Sequence, residues 1–213
     1  MNKIITISRQ YASGGRLIGK LVAEHYNIPF YDNDLITLAA KESGFTEKIL
    51  DRAEDKATNS LIYSIAMGLN AFGVQGYGAD AMSIDDKVFL AQSNVIRKVA
   101  AQGPCVIIGR CADYVLREKT NVINVFVWAD ISARIKRAVD EYGMERPKAE
   151  ENIIKVDKKR ANYYNYHSDR KWGKADTYNL SIKSDDIGID NAAQCIIKYI
   201  ELAEQNARQG ESS

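Results

Sequence analysis

Histidine and cysteine are among the scarce residues of this 213-residue chain. The two histidines, His25 and His167, stand far apart in sequence, which argues against a His/Cys metal site. Of the three cysteines, Cys105, Cys111 and Cys195, none forms a C-x-x-C pair. An odd, sparse count points to reduced thiols and an intracellular protein, not to a disulfide framework. No apolar run approaches the roughly 20 residues that a membrane helix needs, and the N-terminus lacks the apolar core and cleavage site of a signal peptide. An excess of one charge is missing too: 29 Lys and Arg against 28 Asp and Glu leave a net charge of +1. That excludes a global signature of a nucleic-acid or acidic-membrane partner. A soluble cytoplasmic protein with small-molecule partners is expected, and any anion site in it has to be local.

What is present is an ordinary globular balance, 46% hydrophobic and 27% charged, over a length that suits one domain. Five short apolar runs read as strands: "KIITIS" (3–8), "IPFY" (28–31), "CVIIG" (105–109), "VINVFVW" (122–128) and "YNLSI" (178–182). Most are apolar at consecutive positions, the pattern of strands buried on both faces and hence of a parallel sheet. Helical periodicity separates them: Leu17 with Leu21 and Ile18 with Val22 after the first strand, then Val88, Ala91, Val95 and Val99 through 86–101, then 131–142 and 190–206. Such alternation predicts a right-handed, doubly wound α/β fold. Ligands in such sheets bind at the carboxyl ends of strands, here 8–15, 32–34, 109–113 and 128–130. Two regions interrupt the alternation. Residues 44–85 read as a helical insert with the glycine-bearing loop "GVQGYGAD"; residues 143–174 are strongly charged, with clustered tyrosines.

The stretch "SRQYASGGRLIGK" (8–20) follows directly on the first strand. A G-x-x-x-x-G-K pattern occurs at Gly14–Lys20, but helical periodicity already runs through 16–22. Lys20 then lies inside the helix, more than a turn from its start, and Leu21 stands where Ser or Thr should hold magnesium. Counted from the strand instead, the loop is 9–15 and the helix opens at Gly14, Gly15 and Arg16, with Ser13 placed to cap it. Both glycines allow close approach of backbone N–H groups to a phosphate. In this register the lysine position holds Gly15 and the Ser/Thr position holds Arg16. Arg16 is expected to supply the missing positive charge, since guanidinium grips phosphate bidentately. The alternative is a glycine-rich turn that only starts a helix.

Taken with "CVIIGRCADYVL", "VFVWADISARIKRAV" and "VDKKRANYYNYHSDRKWGKADTYNLSI", this loop resembles the cytidylate-kinase-like family, P-loop relatives of bacterial cytidylate kinase. The resemblance covers nearly the whole chain and is firmest at 4–36, 104–117 and 155–183; it looks closest to the branch that carries S-G-G-R in place of a full Walker motif. It implies a P-loop NTPase-type α/β fold, a five-stranded parallel sheet flanked by helices. The core would comprise 1–43, 86–142 and 175–213, with an acceptor insert at 44–85 and a lid at 143–174. By the same resemblance Arg110 in "GRCADY" contacts the acceptor phosphate, although the family's next residue is an aspartate and here it is Cys111, with Asp113 two further on. Asp157 and Arg160 match a D-x-x-R spacing whose pair touches cytidine and phosphate, and Arg134 and Arg137 in "SARIKR" would face the donor nucleotide. Where cytidylate kinase has a tyrosine and an arginine after the second strand, this chain has Thr37 and Leu38, while Asp32 and Asp34 remain.

The implied activity is phosphoryl transfer from ATP to a nucleoside monophosphate, CMP or dCMP. Such chemistry needs positioning and charge neutralisation more than a covalent nucleophile. Arg16, Arg110 and Arg160 are the expected catalytic cations. Ser13, Gly14, Gly15, Arg16, Arg134 and Arg137 are the expected donor-binding residues, and Asp34, Arg110, Asp113, Asp157 and Arg160 the expected acceptor-binding ones. No metal ligand is assigned from protein alone; Mg²⁺ would accompany ATP, held by water and by Asp32 or Asp34. Each residue also has a structural reading. Arg134 and Arg137 fit a solvated helix face, Asp157 and Arg160 a surface ion pair, Asp32 and Asp34 helix caps. Tyr163, Tyr164 and Tyr166 fit either base stacking or packing of the lid. Two further functions stay open: a nucleotide-binding protein without turnover, favoured by the missing lysine, and a kinase for another small acceptor.

Overall fold

The computed structural model describes residues 2–32 and 83–210. In chain order they form β1 (Ile4–Arg9), α1 (Gly15–Tyr26), β2 (Phe30–Tyr31), α2 (Ile84–Gln102), β3 (Val106–Ile108), α3 (Ala112–Val115), β4 (Val122–Trp128), α4 (Ile131–Asp140), α5 (Arg146–His167), a 3₁₀ turn (Ala175–Thr177), β5 (Leu180–Lys183) and α6 (Ser184–Gly210). The five strands make one all-parallel sheet in the order β2-β3-β1-β4-β5. All five expected strands are present, with ends moved by one or two residues. Asp34 and residues 44–82 of the expected insert lie outside the described residues.

The consecutive apolar residues of β1 are explained by two cores. Ile5 and Ile7 point to one face, where Ile18 and Val22 of α1 and Ala193, Ile196 and Ile200 of α6 cover them. Ile4 points to the other, under Val88, Val95, Ile96 and Val99 of α2, Ala112 of α3 and Leu116 just after it. A parallel sheet flanked in this way has its ligand edge at the strand carboxyl ends.

Across that edge runs α5, 22 residues and about 33 Å long. At its start Ala149 and Ile153 are buried; Ile153 packs with Ala138 of α4 and Ala12 of the β1–α1 loop. At its end Tyr163 and Tyr164 pack with Cys111, Phe89 and Trp172. These two tyrosines thus pack α5 onto the core, while Tyr166 is 66% exposed. Between the two anchors, the face that carries Ile153 and Tyr164 also carries Asp157 and Arg160, at helical spacings of three and four. The expected lid is thus a single helix and the segment after it, laid over the loop that follows β1.

Candidate functional site

All five carbonyl oxygens from Arg9 to Ser13 in the loop between β1 and α1 accept hydrogen bonds. Arg160 Nη1 donates to the Arg9 carbonyl at 3.1 Å. The Gln10 carbonyl accepts from Ser13 Oγ at 2.9 Å, and the Tyr11 carbonyl from Arg134 Nη1 at 3.4 Å. Arg137 Nη1 donates to the Ala12 carbonyl at 2.8 Å, and Ser184 Oγ to the Ser13 carbonyl at 2.5 Å. In a trans peptide the next N–H points opposite to the carbonyl. With the Tyr11 and Ser13 carbonyls bonded to Arg134 and Ser184, the N–H groups of Ala12 and Gly14 therefore face away from those partners, and the first-turn N–H groups of α1 have no intrahelical partner. Ala12 and Gly14 have positive φ, 59° and 83°, the alternation that shapes backbone nests for anions.

One expectation at this loop is corrected. Ser13 does not cap α1: the N-cap is Gly14, without a side-chain bond. Ser13 is fully buried, its hydroxyl donating to Gln10 and Val127 carbonyls. Lys20 is where the periodicity puts it, inside α1, 59% exposed and 3.6 Å from Glu24. Arg16 stands on the rim, 58% exposed, its Nε donating to Asp32 Oδ2 at 2.5 Å.

Asp157 and Arg134 are neither a surface pair nor a solvated face. Asp157 Oδ1 accepts from the Tyr11 N–H at 2.6 Å, and its Oδ2 accepts from Arg134, which is 7% exposed. Arg137 Nε lies 3.4 Å from Glu141. Both α4 arginines thus grip the β1–α1 loop, and α5 ties in through Asp157 and Arg160.

Beside the loop is a cavity of about 210 Å³, lined among others by Arg9, Arg110, Lys159, Arg160, Tyr163 and Trp172. Four cationic side chains converge there from β1, the β3 end and α5. Arg110 is delivered by an unusual turn: Gly109, Arg110 and Cys111 have φ of 70°, 58° and 53°, closed by Ala112 N–H to Gly109 O at 3.0 Å. A left-handed conformation costs a non-glycine residue about 1–2 kcal/mol, and such strain gathers at functional sites. Burial pushes the Arg9 guanidinium pKa down, opposed by Asp32. Burial first, and then the charge of Arg9, push that of Arg160 down to about 9. An anion entering between them would offset both effects. Asp113 does not line the cavity. It is 1% exposed, accepts from Tyr164 Oη at 2.6 Å and lies 3.9 Å from Arg170. Burial pushes its carboxyl pKa up, with the Tyr164 bond opposing. Its place is that of a strut between α3 and α5.

Arg9 and Lys159 were not singled out by sequence. The signal for Arg9 was its position, the last residue of the central strand and so at the ligand edge; Lys159 adjoins Arg160. The described residues do not fit a protein-held magnesium ion. Asp32 gives one carboxylate oxygen to Arg16 and has the other 3.9 Å from Arg9, Arg16 occupies the Ser/Thr position, and no group of three metal-ligating side chains occurs among the described residues.

The profile of the cytidylate kinase-like family matches residues 4–186. A crystal structure of an uncharacterized protein from Eubacterium ventriosum ATCC 27560 is 30% identical over 94% of this chain and 99% of that one, with a TM-score of 0.69. Shikimate kinase from Bacteroides thetaiotaomicron is 15% identical over 94% and 99%, TM-score 0.54. A gluconokinase from Sinorhizobium meliloti 1021 is 13% identical over 98% and 97%, TM-score 0.56. The latter two show the fold, that of P-loop kinases. No curated protein matches the chain. No helix among the described residues is long and apolar enough to cross a membrane.

Proposed function

The chain belongs to the cytidylate kinase-like family, and we propose from that premise that it transfers the terminal phosphoryl group of ATP to a small anionic acceptor, a nucleoside monophosphate such as CMP or dCMP. The observation that carries this reading is that Arg9, the first residue of the loop whose positive-φ residues are Ala12 and Gly14, lines a cavity with Arg110, Lys159 and Arg160, and that α5 bonds to the same loop through Arg160 and Asp157. The nest suits the donor phosphates and the cavity the acceptor phosphate.

In the proposed reaction an acceptor phosphate oxygen forms a bond to the γ-phosphorus while the bond from that phosphorus to the β,γ-bridging oxygen breaks. ADP leaves with the electron pair. Charge grows on the transferring oxygens and the bridging oxygen, and guanidinium groups fixed in a water-poor cleft stabilise it. Arg110 holds the acceptor phosphate. Arg160 faces the cavity and bonds to the loop, so it spans donor and acceptor sides. Arg134, Arg137 and Asp157 fix the loop in the shape that receives the donor. Closure of α5 over bound nucleotides excludes water.

The test is coupled ADP release from Mg·ATP against a panel of nucleoside monophosphates together with shikimate and gluconate. ADP formed with CMP or dCMP supports the nucleotide reading. ADP formed only with a sugar acid moves the acceptor class. No turnover in a protein whose melting temperature ATP still raises identifies a binding protein.

A further inference from the structure

The sequence register leaves a puzzle: a phosphate loop with glycine at the seventh position, where its lysine belongs. The first position of the same register, which the motif reserves for glycine, holds Arg9. A Cβ built on Gly15 would lie 2.6 Å from Arg9 Cβ and 3.2 Å from both Arg9 Cγ and Val127 Cβ. Side chains at both 9 and 15 would fill one volume. With Arg9 in place, any side chain at 15 would force the loop to shift, so the cation sits at one position and glycine at the other.

The far end of Arg9 has a cleared place as well. A Cβ on Gly109 would sit 2.1 Å from Arg9 Nη1, so the guanidinium lies directly over the glycine that ends β3. There it is 3.9 Å from Asp32 and lines the cavity beside Arg110 and Arg160. Its side chain is 21% exposed, against 58% for Arg16. Arg16 points to the rim and gives Nε to Asp32; Arg9 starts under the loop and ends between loop and cavity, where the transferring group has to pass.

We infer that Arg9, and not Arg16, is the phosphate-binding cation that replaces the loop lysine, and that Arg9 with Gly15 is a reciprocal exchange of the motif's glycine and lysine. Gly109 is the second half of the same accommodation, because any side chain there would displace the guanidinium. The inference rests on the reading of the loop as an ATP site.

The experiment is calorimetric titration of ATP into the full chain and four variants. Arg9→Met should weaken ATP binding at least tenfold, Arg9→Lys by clearly less, and Arg16→Met by no more than threefold. The double variant Arg9→Gly with Gly15→Lys, which restores the ordinary motif, should bind ATP within threefold of the native chain. Equal affinity in Arg9→Met and the native chain overturns the assignment, as does a larger loss in Arg16→Met or an equal loss in Arg9→Lys and Arg9→Met. A native chain that binds no ATP overturns the kinase reading itself, and the role of Arg9 with it. Far-UV circular dichroism keeps folding separate from binding. If the double variant does not fold, the Lys-against-Met comparison at Arg9 decides.

Discussion

The carboxylate of Asp157, in the middle of α5, accepts a hydrogen bond from the backbone N–H of Tyr11 at 2.6 Å. Those residues are 146 positions apart in sequence, yet the bond joins the helix that crosses the ligand edge to the loop that follows the central strand. Since Asp157 also pairs with the buried Arg134, one carboxylate fixes the loop from above and from the side.

Removing that carboxylate leaves Arg134 buried and uncompensated. Asp157→Ala should lower unfolding free energy by about 3 kcal/mol, the range for breaking a buried pair from one side. Adding Arg134→Leu should recover roughly half, since the orphaned charge goes too. Urea unfolding of the two variants and the native chain measures this; a double variant no more stable than Asp157→Ala would mean that the loss comes from the Tyr11 bond alone.

Arg110 holds a left-handed conformation that glycine adopts at no steric cost. Arg110→Gly should therefore be at least as stable as Arg110→Ala, while both raise the KM for the acceptor tenfold or more and leave the KM for ATP within about threefold. Tenfold corresponds to about 1.4 kcal/mol of lost interaction. Steady-state kinetics with the acceptor found by the panel checks it. A change confined to melting temperature would return Arg110 to a structural role.

His167 is stacked on Phe89 with ring centroids 4.2 Å apart and a side chain 5% exposed. Burial pushes its pKa below the ordinary 6.5, with Asp86 opposing. Between the lowered folded value and 6.5 the unfolded chain binds more protons, so the stability His167 contributes is present above 6.5 and is lost as pH falls through the folded value. The urea midpoint should drop between pH 7.5 and pH 5.5, and His167→Phe should flatten that drop. An unchanged pH slope in the variant would place the acid sensitivity elsewhere.

Lys20, inside α1 and facing solvent, should be dispensable. Lys20→Ala removes only an exposed pair with Glu24, and its effect on stability should stay within about 0.5 kcal/mol. ATP affinity should stay within twofold of native. A tenfold loss in titration calorimetry would put the lysine of Gly14–Lys20 back in the binding loop.

What was legible in the sequence was the sheet. Its strands are buried on both faces, so they are written as unbroken apolar runs, and β4 at Val122–Trp128 is read to the residue. The loop was legible as well, because a strand end fixes its register. The roles inside the site were harder, for a physical reason. Arg134, Arg137 and Asp157 lie on helices whose outward faces are also charged, and nothing local separates a carboxylate in solvent from one bonded to a loop 146 positions away. The apolar period of α5, Ala149 and Ile153 to Tyr164, runs straight through Asp157 and Arg160, and that was the available sign that both turn inward. Arg9 gave no such sign: it depends on space vacated at Gly15 and Gly109, and glycines report their own freedom, not what fills the room they leave.

The mutual exclusion of side chains at 9 and 15 limits the paths by which such a loop can change over generations. From a chain with glycine first and lysine seventh, one single substitution puts two side chains into one volume and forces the loop to shift. The other leaves glycine at both positions, a loop that folds but lacks either cation. A lineage moving stepwise between the two arrangements has to cross the second kind of chain, so a requirement for folding and a requirement for charge act on different steps of the path, and once made, the pair is inherited as a unit.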